Sequence, residues 1–132
     1  AYIDLVKEVT LQNGLDERVD FKHGDFTKTA SDVDTADIVT LDKVICCYDN
    51  MSELVMLSSK LARKIYAVIY PRDVWWTKLA LPMMNFYPRL KGSSFRVFIH
   101  PTKKVEKIIF GNGLKRNYYA TTLFWQVAIF TR

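Results

Sequence analysis

Two apolar runs constrain this chain more than any other feature: "DIVTLDKVICCY" at residues 37–48 and "KIYAVIYP" at residues 64–71. One helix-length segment separates them. In it Met51, Leu54, Leu57 or Ser58, and Leu61 share a face, and Asp49 is placed to cap its start. Strand, helix, strand in this spacing predicts a βαβ unit and a parallel sheet covered by helices. The first run, read as a strand over residues 38–48, shows no alternation, as for a parallel strand buried on both faces. It nevertheless carries Asp42 and Lys43 in its middle. Such a charge pair is costly in a core strand unless it sits at an edge, a turn or a site.

The flanking segments extend the pattern. Tyr2, Leu5, Val6 and Val9 form one stripe of an amphipathic helix, with Gly14 as its stop. Val19 and Phe21 alternate with Asp20 and Lys22 in a short strand ending at Gly24, followed by a polar connection. Near the C-terminus a helix with Val105, Ile108 and Ile109 is opened by "HPT" and closed by "GNG". Two strand-like runs, residues 116–123 and 125–131, then follow with no room for a helix between them, which predicts an antiparallel hairpin. Residues 73–98 break the rhythm, being apolar, aromatic and interrupted by Pro82, Pro88 and Gly92. They read either as a substrate-covering insertion or as a helical elaboration packed on the core.

The 132 residues suit a single domain. Net charge is +5, but residues 1–53 hold 12 acids and 5 bases, whereas residues 54–132 hold 2 acids, 14 bases and 14 of the 18 aromatics. A basic, aromatic half is compatible with nucleic acid, although solvated helix faces explain most of these lysines more simply. Neither a membrane-spanning run nor a signal peptide is visible, so the cytoplasm is the expected compartment. The two cysteines, Cys46 and Cys47, are adjacent. Neighbours on a strand face opposite ways, so they read as unbridged, buried small hydrophobes. His23 and His100 lack matched carboxylate spacing, so no metal site is expected.

The order helix, "VDFKHGDF", "DIVTLDKVICCY", helix, "YAVIYPR", helix and closing hairpin resembles the later two-thirds of a class I S-adenosylmethionine-dependent methyltransferase. "LDKVICCY" with "YPRDVWW", "FRVFIHP" and "WQVAIF" is similar to a bacterial methyltransferase-domain subgroup. The resemblance implies a Rossmann-like α/β sheet whose parallel strands end in an antiparallel hairpin. It implies S-adenosylmethionine as cofactor and a small-molecule methyl acceptor as partner. In "HGDF", after Gly24, it implies that Asp25 accepts from the adenine amino group and Phe26 packs on the ring. It places Leu41, Asp42 and Lys43 at the carboxyl edge of the sheet, facing the cofactor's methionine part, which would satisfy the charge pair. The alternative is that Asp42 and Lys43 simply pair with each other at a loop. The family's glycine-rich loop and ribose-binding acid do not occur in these residues. Ala1 therefore reads as starting just after them, in a domain without its N-terminal strands.

Beyond the motifs, Tyr48, Tyr70, Asp73, Trp75 and Trp76 follow strand ends and are candidates for an acceptor pocket, the Trp pair reading equally well as packing. No catalytic residue is identified. His100 could serve as a general base, having a near-neutral pKa, but an ordinary histidine at a helix start is the plainer reading. Two rivals to a methyltransferase stand: a basic nucleic-acid-binding module, and a non-catalytic assembly fragment. The strand at Val19–Phe21, without its partner, is expected to invite self-association.

Overall fold

A computed structural model describes residues 2–92 and 96–132. Its centre is a four-stranded sheet in the order β1–β2–β4–β3, with β1 at Ala36–Asp42, β2 at Ala62–Pro71, β3 at Lys115–Thr121 and β4 at Trp125–Thr131. β1 and β2 are parallel, with Leu41 opposite Val68, and β4 runs antiparallel to β2, with Ala128 opposite Val68. β3 folds back along β4 at the outer edge. The parallel pair closed by an antiparallel hairpin is therefore present, as expected.

Alternation builds the core. Tyr66, Val68 and Tyr70 of β2 and Ala128 and Phe130 of β4 are buried. They form one cluster with Leu54 and Val55 of α3 (Met51–Leu61) and with Val105 and Ile109 of α5 (Thr102–Gly111). The cap of α3 is Asn50, one residue after the expected Asp49. The Asn50 Oδ1 accepts from the Glu53 N–H, and its Nδ2 donates to the Glu53 carboxylate at 2.7 Å. Buried Gln126 of β4 joins three elements: it donates to the Pro71 carbonyl at the end of β2 and to Thr102 of α5, and accepts from Tyr119 of β3.

The strand expected over residues 38–48 is shorter than its apolar run. β1 stops at Asp42, Lys43 turns the chain with φ 57°, and Ile45–Cys47 form a 3-10 turn. The acid–base pair thus stands where the chain leaves the sheet. The residues after it are apolar because the turn plugs the core: Ile45 is 0% exposed and Cys46 is buried. β1 is also buried on one face only, Val39 and Leu41 facing the core while Ile38 is 58% exposed. Cys47 is exposed, contrary to the expected burial, because it lies in the turn and not in a strand.

Val19–Phe21 is not a strand. Among the described residues no strand pairs with it, although Val19 is extended. The N-terminal helix α1 (Tyr2–Gln12) ends as expected: Gly14 adopts φ 64°, its N–H donates to Leu11, and the Leu15 N–H reaches back to Thr10. Its apolar stripe, however, faces outward, with Leu5 and Val9 about half exposed.

Within the anomalous segment 73–98 the structure gives a helix. After the four-residue α2 (Phe26–Thr29) and α3, it is α4, Trp75–Leu90, running through Pro82. Residues 93–95 of the segment lie outside the described residues. Thr77, almost fully buried, seals the start of α4: its hydroxyl lies 2.7 Å from the Arg72 carbonyl and accepts from the Val74 N–H. Asn85 anchors the middle through two bonds to the backbone of Val97.

Candidate functional site

The expected site residues meet, where they meet at all, around Tyr48. Gly24 holds φ 151°, a conformation that favours glycine, and delivers Asp25 to the start of α2. The Asp25 Oδ1 accepts from the Thr27 N–H (3.2 Å), the Thr27 hydroxyl (3.0 Å) and the Tyr48 hydroxyl (2.9 Å). Hydrogen bonds from Tyr48 first and Thr27 second hold this carboxyl below its ordinary value, so it is ionised. Among the described residues, the Oδ2 has Lys28 nearby, at 4.0 Å. Phe26, next in the chain, leans against the core.

Tyr48 thereby ties the loop before α2 to the turn after β1. Its carbonyl is engaged as well, by His100 Nε2 at 3.0 Å. A carbonyl only accepts, so this nitrogen carries the proton. Burial pushes the His100 pKa down, which keeps the ring neutral, and Phe98 stacks on it with ring centroids 6.0 Å apart. The Phe98 N–H donates to the Cys46 carbonyl at 2.7 Å. Cys47, Tyr48, Asp49, Asn50, Arg96 and Phe98 line an open depression of about 380 Å³. A larger one, lined by Phe110 and Leu114–Arg116, lies at the amino end of the parallel strands, away from these groups.

Asp42 and Lys43 stand at the carboxyl edge but do not pair. The Lys43 N–H extends the ladder to Ile69, and its ammonium lies 5.2 Å from the Trp125 ring. Asp42 is exposed, and Leu41 packs inward. The acceptor-pocket residues after β2 do not converge. Tyr70 is 1% exposed within the core, where burial raises its hydroxyl pKa. Asp73 forms an ion pair with Lys78 (2.7 Å). Trp76 meets Phe124 edge-on, and Trp75 points outward. Tyr70 in particular is a core residue: alternation along β2 gives it the same face as Tyr66 and Val68.

Thr27, Arg96 and Phe98 belong to this neighbourhood and were not expected there. The only sequence signal touching the last two is the resemblance carried by "FRVFIHP".

No family model and no curated protein matches the chain. Solved structures do. An O-methyltransferase family protein from Burkholderia thailandensis superposes with TM-score 0.74 at 15% identity, over 98% of this chain and 40% of that one. An O-methyltransferase family 2 protein from Planctomyces limnophilus in complex with apigenin gives 0.69 at 16% identity, over 98% and 39%. Magnesium protoporphyrin IX methyltransferase from Synechocystis with bound SAH gives 0.65 at 15% identity, over 85% and 50%. The chain spans half or less of the length of these structures.

Proposed function

The chain carries the later part of a class I S-adenosylmethionine-dependent methyltransferase fold, and on that premise we propose that it is the corresponding portion of such an enzyme, acting on a small-molecule acceptor. One observation carries the reading. Asp25 is held through one carboxylate oxygen and ionised, and among the described residues the other oxygen has no donor closer than Lys28 at 4.0 Å. A carboxylate held in this way suits an amino group such as that of adenine, with Phe26 beside it for the ring.

The residues present fit the two ends of S-adenosylmethionine. Asp25 and Phe26 would hold the adenine, and the backbone of residues 41–43 would lie toward the methionine. When bound, the cofactor supplies a methyl group on a sulfonium, open to displacement by an acceptor's lone pair. The chain's own part is to bind and orient, the usual source of rate in such transfers. Tyr48 is the central orienting residue, and His100 acts through it as a positioning residue. The depression beside them, with Arg96 and Phe98, would receive an acceptor with a flat or anionic part. Solved neighbours with bound SAH and apigenin support a cofactor and an acceptor of these kinds.

Calorimetric titration of S-adenosylmethionine tests this, in a longer chain that supplies the strand–GxGxG–helix–strand portion. Asp25→Ala should weaken binding by about 1–3 kcal/mol, the scale of a lost charged hydrogen bond. Unchanged affinity would overturn the assignment of the adenine end.

A further inference from the structure

The outer face of α4 carries Trp75, Leu79, Met83, Phe86 and Leu90, each between 61 and 79% exposed. At roughly 100° per residue these five fall within a stripe about 80° wide. Thr77 and Asn85, which fix the helix to the protein, lie on the far side of it. The stripe is therefore directed away from the body of the molecule by contacts that hold α4 in place. A helix of 16 residues, about 24 Å long, presents it as a flat apolar strip.

The surroundings of the strip indicate its occupant. Arg89 and Lys78, the latter also paired with Asp73 at 2.7 Å, border one side. α4 itself carries Lys78 and Arg89 as its only charged residues and no Asp or Glu. A second copy of the chain laid symmetrically on this face would bring like charges together. An anionic lipid surface would instead match both components, taking Trp, Phe and Leu at the acyl boundary and the bases among its headgroups. No helix among the described residues is long and apolar enough to cross a membrane, which leaves α4 to lie in the interface. We propose that α4 is an interfacial helix that seats this protein on anionic membrane surfaces. It begins at Trp75, just beyond the end of β2 at Pro71, so the lipid would adjoin the carboxyl edge of the sheet. This inference does not depend on methyl transfer.

Sedimentation of the full chain with vesicles tests it. Binding should be strong to phosphatidylcholine–phosphatidylglycerol vesicles, weak to phosphatidylcholine alone, and reduced by high salt. The double variant Leu79→Gln/Phe86→Gln should lose at least ten-fold in binding, with its circular dichroism melt preserved. Leu5→Gln, on the exposed stripe of α1, should bind as the parent does. Should the double variant fail to fold, the unsubstituted protein still gives an answer: brominated lipid should quench its tryptophan emission, and Trp75→Phe should remove most of that quenching. The proposal is overturned by an absence of binding to anionic vesicles, by equal binding of the double variant, or by equal loss in Leu5→Gln. It is likewise overturned if the stripe variant converts a dimer to a monomer while the parent ignores lipid, which would make a second copy the occupant.

Discussion

Asp25 and Tyr48 depend on each other, and their linkage has a definite sign. The folded state holds the Asp25 carboxyl below its ordinary value of 3.8, chiefly through the Tyr48 hydroxyl. The stability this contributes is fully present above that value and is lost as pH falls through the lower, folded one. Tyr48→Phe removes the principal donor, so it should raise the Asp25 pKa and make acid destabilisation shallower in that window. Carboxyl titration by NMR, with urea unfolding at neutral and acid pH, would check both. An Asp25 pKa unmoved by Tyr48→Phe would contradict the assigned bond. His100 behaves analogously nearer neutrality. Burial depresses its pKa from 6.5, so its stabilising contribution is complete above 6.5 and declines as pH falls below it. His100→Gln should flatten the stability profile between pH 7 and 5 relative to the parent. The pattern Gly24-Asp25-Phe26 could be found by eye in the sequence. Its dependence on Tyr48, 23 residues on, could not, since a lone tyrosine after an apolar run names no partner.

At the scale of elements, composition misled where burial and periodicity part company. Val44, Ile45 and Cys46 continue the apolar run of β1, and a buried turn has the same composition as a buried strand. The positive φ of Lys43 separates the two, and sequence carries no trace of it because lysine rarely adopts it. The hairpin was legible for the opposite reason. Residues 122–124 leave no length for a crossover, so chain length alone fixes the direction of β4. Residues 73–98 read equally as a substrate-covering insertion or a helical elaboration. Pro82 and Pro88 disfavour a helix interior, and tertiary anchoring of α4 by Thr77 and Asn85 outweighs that propensity. The turn yields a sharp expectation. Ile45 is fully buried outside any regular element, so Ile45→Ala should cost about 2–5 kcal/mol, as for a core position. Equilibrium urea denaturation would measure it. A loss near zero would show that the turn does not plug the core.

For the molecule as a whole, packing is uneven, and its weak side can be named. β2 lies between β1 and β4 and supplies Tyr66, Val68 and Tyr70 to the core, so it is paired on both edges. β1 has a partner only on the β2 side among the described residues, and Ile38 on it is 58% exposed. α1 contacts chiefly the segment that follows it, Lys7 lying over Phe21, while Leu5 and Leu11 remain exposed. An open strand edge beside uncovered apolar residues favours pairing between chains. Amides of β2 and β4 should therefore exchange with solvent orders of magnitude more slowly than those of α1, because local opening of α1 uncovers little new apolar surface. The chain should also associate as its concentration rises, and Ile38→Lys should shift it toward monomer by placing a charge beside the free edge. Leu79→Gln/Phe86→Gln, on α4, should leave this equilibrium unchanged. Hydrogen exchange and size-exclusion chromatography over a concentration series would read the two effects separately. Protection of α1 equal to that of β2 would mean that the N-terminal helix is held to the core by more than its few contacts provide. A monomer at every concentration would mean that the β1 edge is closed in solution.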